Sequence, residues 1–159
     1  MYRIMLADDV GIVLESLRMS IAENFPGECQ IETAKTGRAV IELAETFRPD
    51  VAFMDIQMPG INGMEAIREI QKNNSSVEFI VLSDYDKFDY AKEAINLGVL
   101  EYMNKPFTPK RITEVLSKAL KEVDSRRKKR SDDLRIKEKM ETVTPIIENG
   151  FVYAIMFQE

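Results

Sequence analysis

The sequence predicts an α/β domain with a doubly wound, five-stranded parallel sheet, followed by an extended C-terminal helix. The first observation behind this prediction is a set of short apolar runs, separated by segments with helical spacing, at residues 4–7, 51–54, 79–82 and 99–100. Runs that are apolar throughout are typical of parallel strands buried between two layers of helices. The second observation is that polar residues follow these runs, as expected where strands end in a ligand-binding crevice.

Strand and helix signals alternate along residues 1–123, which we predict to form one domain. We expect strands at about residues 2–8, 29–34, 51–55, 78–83 and 99–103, and helices at about 11–24, 37–47, from 64, 87–97 and from 108. In the first helix, Ile12, Leu14, Leu17 and Ile21 fall on related faces. Proline and glycine clusters at 25–27 and 58–60 separate neighbouring elements. Five such strand–helix units pack as one sheet with helices on both faces.

The pattern changes after residue 120. We expect a last helix over about residues 108–140 that extends beyond the globular body, with residues 124–143 as a helical extension or linker. Its apolar positions do not sustain a clean heptad, so coiled-coil pairing is plausible rather than indicated. Thr144 and Pro145 predict a new helix start, with Thr as N-cap and Pro at the first helical position. The apolar run at 151–157 indicates that residues 144–159 begin a further linker or output region that this chain truncates.

Composition and charge exclude several classes of function. The chain has no histidine, which rules out histidine metal ligands and histidine-dependent nucleophilic catalysis. The single Cys29 excludes an internal disulfide and is typical of a reducing cytoplasm. No apolar stretch approaches the roughly 20 residues of a membrane span, so we expect a cytoplasmic protein without a membrane partner. Residues 105–139 carry 13 Lys and Arg against 6 Asp and Glu, whereas the whole chain has a net charge of −5.

Polar side chains follow four of the predicted strands. Asp8 and Asp9 follow the first strand, Asp55 the third, Ser83 the fourth and Lys105 the fifth. Because parallel strands end at the same edge of a sheet, we expect these side chains to converge. Taken singly, each has an ordinary structural role, such as a helix cap, a turn or a solvated surface position. Together, three carboxylates, one hydroxyl and one ammonium fit a divalent cation and a transferable anion.

The carboxylates predict a magnesium site. Mg²⁺ prefers hard oxygen ligands and keeps several waters. We expect Asp9, Asp55 and the backbone carbonyl of Gln57 to bind the ion directly, and Asp8 to act through water. A cation there keeps Asp55 ionised, and an ionised carboxylate can attack a phosphoryl donor. The nearby Lys105 ammonium and the serine hydroxyl suit the oxygens of the transferred group.

These motifs make residues 1–123 resemble the receiver domain of two-component response regulators, a CheY-like domain with a flavodoxin-like (βα)5 fold. The matching motifs are Leu6-Ala7-Asp8-Asp9, Asp55-Ile56-Gln57-Met58-Pro59-Gly60, Leu82-Ser83 and Gly98-Val99-Leu100-Glu101-Tyr102-Met103-Asn104-Lys105-Pro106. The resemblance implies that Asp55 accepts a phosphoryl group from a partner sensor histidine kinase, while Ser83 and Lys105 hold the phosphoryl oxygens. It implies the magnesium ligands given above. It also implies a chain that catalyses only its own phosphorylation and dephosphorylation.

The resemblance further implies a conformational switch. Tyr102 falls on the switch aromatic of the family, and the bond between Lys105 and Pro106 falls on its usual cis peptide bond. Phosphorylation would draw Ser83 toward the new oxygens and turn Tyr102 inward, which remodels the face of the fourth helix, fifth strand and fifth helix. A homodimer is expected on phosphorylation, through this face or through the basic extension. Asp84 departs from the small residue of the family pattern, and its carboxylate either repels or crowds a donor or points into solvent.

Residues 83–98 resemble the subgroup whose receivers carry an arabinose-regulator-type (AraC) helix-turn-helix domain. We expect DNA binding only through such a C-terminal domain, which is missing here. Two alternative functions stay open. An aspartate-nucleophile phosphatase needs a second acid two residues after the nucleophile, where this chain has Gln57. A pseudo-receiver would use the same fold for protein interaction without phosphate.

Overall fold

The computed structural model describes residues 1–84 and 88–147, and the side chains at residues 1–84 and 90–139. Its elements alternate in chain order as predicted: β1 (Tyr2–Ala7), α1 (Gly11–Asn24), β2 (Cys29–Ala34), α2 (Gly37–Phe47), β3 (Val51–Asp55), α3 (Gly63–Asn73), β4 (Glu78–Ser83), α4 (Phe88–Asn96), β5 (Glu101–Asn104) and α5 (Pro109–Ile147). The predicted α/β class is confirmed. The apolar run at 151–157 lies outside the described residues.

The five strands form one parallel sheet in the order β2-β1-β3-β4-β5. Strand β3 lies in the middle, and all five of its residues are buried. Its neighbour β1 pairs with it so that Ala7 lies opposite Met54, which places the next residues, Asp8 and Asp55, at the same end of the sheet. The sheet order therefore puts one acid after β1 beside another at the end of β3.

The core is built from the apolar strands and one face of each covering helix. In α5 the buried residues Ile112, Val115, Leu116 and Ala119 lie at positions i, i+3, i+4 and i+7, as expected for a helix with one face on a sheet. The core also contains buried methionines on three strands, in the loop after β3 and on α3: Met5, Met54, Met58, Met64 and Met103. Their unbranched side chains fit irregular spaces between sheet and helices.

Local signals position the helices that follow the strands. Thr36 caps α2 by accepting a hydrogen bond from the Ala39 N–H at 3.1 Å, and Asn62 caps α3 by accepting one from the Glu65 N–H at 3.0 Å. Such caps satisfy backbone donors that have no partner within the helix. Both helices therefore begin at fixed points directly after the loops at the carboxyl end of the sheet.

Gly63 allows α3 to start in direct contact with the end of β3. A Cβ atom at Gly63 would lie 2.1 Å from the carbonyl oxygen of Asp55. The two atoms would overlap at this distance, so this position has no room for a side chain. The Gly63 N–H donates to the Ile56 carbonyl at 2.8 Å and closes the intervening loop. The backbone of Asp55 is thus fixed by the first residue of α3.

Two sequence predictions about the first unit were wrong, one on the buried face of α1 and one on the start of β5. Ile12 is 78% exposed, whereas Leu14, Leu17 and Ile21 are buried. A residue two positions before Leu14 points to the opposite side of a helix with 3.6 residues per turn, so Ile12 cannot share the buried face. The fifth strand begins at Glu101 and not at residue 99, because the Val99 N–H donates to the Ala94 carbonyl at the end of α4.

The chain divides into two compact units, Met1–Glu122 and Val123–Glu159. The first unit contains the sheet. In the described part of the second unit, Leu134 and Ile136 are 53% and 57% exposed. The predicted limits of a linker at residues 124–143 stay a prediction. Among the described helices, none combines the length and the apolar character needed to cross a bilayer.

Helix α5 continues through Thr144 and Pro145 to Ile147, so the prediction of a new helix start at Thr144 was wrong. The preceding residues 135–141 are mainly Lys, Arg, Glu and Met, which are strong helix formers. This run carries the helix past a position where proline removes one backbone donor.

Candidate functional site

The predicted site residues meet at the carboxyl edge of the sheet. Asp8 follows β1, Asp55 ends β3, Ser83 ends β4 and Lys105 follows β5. The Lys105 N–H donates to the Ser83 carbonyl at 2.8 Å, which fixes the chain after β5 against the end of β4. The peptide bond between Lys105 and Pro106 is cis. The parallel topology therefore brings together side chains that are up to 97 residues apart in the sequence.

The Lys105 ammonium lies between two buried carboxylates. Its Nζ is 2.7 Å from Asp8 Oδ2 and 3.3 Å from Asp55 Oδ1, and its side chain is only 16% exposed. Asp8 is fully buried, and its Oδ1 accepts a hydrogen bond from the Val10 N–H at 2.9 Å at the entrance to α1. One Asp8 oxygen therefore accepts the backbone hydrogen bond in the turn before α1, and the other faces the Lys105 ammonium.

Burial and charge alter the protonation of Asp55. Desolvation, together with the negative charge of Asp8, raises the pKa of Asp55 from 3.8 to about 6, although Lys105 and the Gln57 backbone N–H favour its ionised form. Burial alone would lower the pKa of Lys105, but its contacts with Asp8 and Asp55 outweigh burial and raise that pKa. One ammonium is thus too little positive charge for the carboxylates around it.

The arrangement fits a divalent cation. Carboxylate oxygens of Asp8, Asp9 and Asp55 all lie within 4.8 Å of one another, and Asp9 is exposed while the other two are buried. Lys105 Nζ and Asp8 Oδ2 form an ion pair at 2.7 Å. Among the residues that the structure describes, this Oδ2 has no hydrogen-bond partner. Such a hard-oxygen donor set suits Mg²⁺. The Gln57 carbonyl ligand and the water-mediated role of Asp8 stay predictions.

The residues assigned to the switch lie on the two strands beyond β3. Ser83 is 1% exposed, and its hydroxyl donates to the Asp84 carbonyl at 2.9 Å. Tyr102 is half-buried on β5, opposite Val81 of β4, and packs against the core. Asp84 is exposed. The predicted roles of Ser83 and Tyr102 in a switch stay predictions.

Two features of this unit were missed by the sequence reasoning. The first is the contact between Gly63 and the Asp55 backbone, for which the only signal was a glycine directly after the helix-capping Asn62. The second is an ion-pair cluster around Glu101 on β5. Glu101 Oε1 is 3.0 Å from Arg111 Nη2, and its Oε2 is 3.1 Å from Lys118 Nζ. Burial would raise the pKa of Glu101, but these two cations outweigh it and lower that pKa.

The topology and the acidic edge of the sheet define a CheY-like receiver fold. The chain belongs to the response regulator receiver domain family, whose model matches residues 4–117. It is therefore a receiver domain of the kind found in two-component response regulators.

Three relatives place the chain within this family. It is 36% identical over 123 residues to the uncharacterized transcriptional regulatory protein YesN of Bacillus subtilis, covering 77% of this chain and 33% of YesN. It is 34% identical over 119 residues to the chemotaxis protein CheY of Thermotoga maritima, covering 75% of this chain and 98% of CheY. Among solved structures, the receiver domain of the response regulator AraT from Geobacillus stearothermophilus superposes with a TM-score of 0.73 at 32% identity, over 79% of this chain and 98% of that domain. The chain thus spans about a third of the length of YesN.

Proposed function

We propose that this chain is a phosphorylation-dependent switch of a two-component system, in which Asp55 accepts a phosphoryl group from a partner histidine kinase. The observation that carries the proposal is the Asp55 carboxylate, 3% exposed and 3.3 Å from the Lys105 ammonium, within a cluster of three acids. Carboxylates are established nucleophiles in phosphoryl transfer. Membership of the receiver family supports the two-component role.

Each site residue has a separate task in this proposal. Lys105 is placed to bind a phosphoryl oxygen beside Asp55, and its ammonium stabilises the charge that develops there. Ser83 donates a hydrogen bond from its hydroxyl to a second phosphoryl oxygen once it releases the Asp84 carbonyl. When bound by Asp9, Asp55 and the Gln57 carbonyl, Mg²⁺ would add positive charge against the phosphoryl oxygens.

No external substrate is turned over in this proposal. The phosphoryl group passes to Asp55 and is later lost to water, so the chain acts on itself. The phosphorylated form would bind Ser83 and bury Tyr102 more deeply, which remodels the face of α4, β5 and α5 and favours a homodimer. The half-buried position of Tyr102 against the core supports this step, because a change in its burial alters the surface of β5.

The parent protein would read this state through a transcriptional output. YesN is described as a transcriptional regulatory protein, and the chain spans 33% of it. We infer a C-terminal output of the AraC type, on the resemblance of residues 83–98 to that subgroup. Contact with DNA would belong to that output, and the kinase and the switch would meet in the cytoplasm.

The direct test is incubation of the chain with acetyl phosphate and Mg²⁺, followed by intact mass spectrometry. We expect one phosphoryl group per chain, and we expect hydroxylamine to remove it, because an acyl phosphate reacts with that nucleophile. Asp55→Asn should abolish the mass gain. Asp132→Asn, a matched change at an exposed acid of the second unit, should retain it.

The other outcomes separate the alternatives. Continued release of phosphate over many turnovers from simple phosphate esters would favour a phosphatase. A chain that gains no mass from acetyl phosphate, while remaining folded by circular dichroism, would favour a pseudo-receiver. A mass gain that survives Asp55→Asn would overturn the assignment of the acceptor.

A further inference from the structure

The loop between β3 and α3, residues 56–62, is held at both ends and also from one side. The Ile56 N–H donates to the Leu82 carbonyl of β4 at 3.0 Å, and the Gly63 N–H closes the other end of the loop. From the side, helix α2 touches the loop backbone through its first residue, Gly37, which is buried. This third contact joins the loop to a helix that carries none of the acidic site residues.

Gly37 is required by space and not by backbone conformation. A Cβ atom at this position would lie 2.1 Å from the Ile61 carbonyl oxygen and 2.8 Å from the Ile61 Cβ. Among the described glycines, positive φ angles occur at Gly27, Gly60 and Gly98, so the φ of Gly37 is one that other residues also adopt. A glycine in a helix lowers stability relative to alanine. The close approach of α2 to the loop therefore weakens the helix itself.

The two sides of this contact are fixed independently of each other. Thr36 caps α2 by accepting a hydrogen bond from the Ala39 N–H at 3.1 Å, which fixes the first turn of the helix. The Ile61 side chain packs against the core, and the next residue, Asn62, caps α3. A side chain at residue 37 would therefore displace the loop backbone, which has no regular secondary structure.

The same loop carries Gln57, four residues before Ile61. The Gln57 backbone N–H donates to the Asp55 carboxylate, so this peptide lies directly beside the acidic edge of the sheet. Its carbonyl is the third direct magnesium ligand of the proposed function. Mg²⁺ requires near-ideal octahedral geometry, whereas Ca²⁺ accepts more oxygens in flexible arrangements. Preference for the smaller ion therefore depends on how rigidly the loop holds this carbonyl.

We infer that Gly37 is a positioning residue for the metal site and a determinant of its selectivity for Mg²⁺ over Ca²⁺. Because Gly37 has no side chain, the first turn of α2 packs directly on the Ile61 carbonyl and holds the loop, with the Gln57 carbonyl, in one orientation. Gly37 acts through the loop and offers no ligand of its own. This inference rests on the proposed function, in which Asp9, Asp55 and Gln57 bind Mg²⁺.

The test measures the dissociation constants of Mg²⁺ and Ca²⁺ for the full chain by isothermal titration calorimetry, with the Gln57 amide NMR signal as a local reporter. Gly37→Ala should weaken Mg²⁺ binding about tenfold, as is typical when a group that orients a metal ligand is lost. Ca²⁺ binding should weaken by about threefold or less, since its flexible coordination tolerates a displaced carbonyl. Gly37→Ser adds the same Cβ and should behave like Gly37→Ala.

Val40→Ala is the matched control for a general loss of stability. Val40 lies on the same helix and is fully buried, so its truncation weakens the core without adding an atom next to the loop. Affinities are compared at a temperature where urea unfolding shows every variant to be folded, and Val40→Ala should retain both. If Gly37→Ala does not fold, Ile61→Gly, which releases the loop from the core, should lower the preference for Mg²⁺ about fivefold.

The decisive quantity is the ratio of the Mg²⁺ and Ca²⁺ dissociation constants. An unchanged ratio in the residue 37 variants, or in Ile61→Gly where those do not fold, would overturn the inference and leave the metal site in place. An equal change of the ratio in Val40→Ala would also overturn it, because the effect would then belong to the packing of α2 in general. A parent chain that binds neither ion would overturn the magnesium site of the proposed function, and the inference with it.

Discussion

Two carboxylates of the first unit, the buried Asp55 and the half-buried Glu101, have opposite balances of charge around them. Asp55 shares one ammonium with Asp8 and lies near Asp9, so acids outnumber cations around it. Glu101 faces two cations, Arg111 and Lys118. The pKa of Asp55 is raised, and the pKa of Glu101 is lowered.

The difference separates a ligand site from a structural ion pair. At Glu101 two cations already surround one acid, so this carboxylate needs no further cation. At Asp55 the protein keeps an excess of negative charge beside one ammonium, which destabilises the ligand-free chain and favours binding of a cation. An excess of negative charge, and not the presence of acids alone, distinguishes this edge of the sheet from the Glu101 cluster.

The largest expected effect comes from removing the cation at the acidic edge. Lys105→Met should slow the phosphorylation of Asp55 about 100- to 1,000-fold, because the developing charge on the phosphoryl group loses a fixed cation. Time courses of intact mass with acetyl phosphate measure this rate. Lys118→Met removes a cation from the Glu101 cluster and should leave the rate unchanged. A decrease of less than threefold in the phosphorylation rate of Lys105→Met would show that this ammonium does not take part in the reaction.

The next effect concerns the contact between Gly63 and the backbone of Asp55. Gly63→Ala should lower the free energy of unfolding by about 2–3 kcal/mol, since its Cβ would overlap the Asp55 carbonyl oxygen. Gly11→Ala is the matched control, because its nearest atom, Lys35 Nζ, would be 3.7 Å away. Urea unfolding followed by circular dichroism measures both variants. Equal stability of the two variants would contradict the close approach at Gly63.

A smaller effect concerns Asp55 in the absence of divalent ions. Its pKa is about 6 in the folded chain against 3.8 ordinarily, so the folded chain binds this proton more tightly. Its contribution to stability is fully present below about pH 3.8 and is lost as the pH rises through about 6. Asp55→Asn should therefore stabilise the chain at pH 7 by about 1–2 kcal/mol, with the full shift reduced by solvent screening.

Urea unfolding in EDTA at pH 4 and pH 7 checks this sign. The stabilisation by Asp55→Asn should be present at pH 7 and nearly absent at pH 4, where the parent carboxyl is already protonated. Added Mg²⁺ should stabilise the parent and not the variant. A variant that is less stable than the parent at pH 7 would show that Asp55 is well compensated, as Glu101 is.

The smallest effect belongs to Glu101. Its pKa is lowered, so its ion pairs stabilise the fold above about pH 4.5, and this contribution is lost as the pH falls through the folded-state pKa. Glu101→Gln should lower the free energy of unfolding at pH 7 by less than about 1 kcal/mol, because both cations are partly exposed. The difference should shrink in high salt. A stabilising effect of Glu101→Gln would remove the contrast with Asp55.

Most of the fold could be predicted because the spacing of apolar residues and the helix-capping residues indicate the same elements in the first unit. The predicted limits of the second, third and fourth strands match β2, β3 and β4, whose ends carry clear turn or polar signals. The convergence of the acids, Ser83 and Lys105 followed from parallel topology alone. The prediction that Ile12 shares a face with Leu14 was wrong because apolar character does not fix the angle of a residue around a helix.

Other features depend on distances that no sequence pattern contains. The pairing of Lys105 with both Asp8 and Asp55 is set by where β5 ends relative to β1 and β3. The contact between Gly63 and Asp55 is set by the angle at which α3 leaves the loop. An open cleft brings together Ile12 on α1, Asp84 after β4 and Phe107 after β5, which are distant in the sequence. Such features require the packed structure.

The buried methionines provide natural spectroscopic reporters. The chain has no tryptophan, so intrinsic indole fluorescence cannot follow it. Met54 directly precedes Asp55 on the central strand, whereas Met103 lies on the edge strand β5 next to Tyr102. In NMR spectra of isotope-labelled methyl groups, the Met54 signal would report a chemical change at Asp55. The Met103 signal would report the conformational change that follows at the edge strand. The delay between those two signals could be measured on the native chain, with no attached dye.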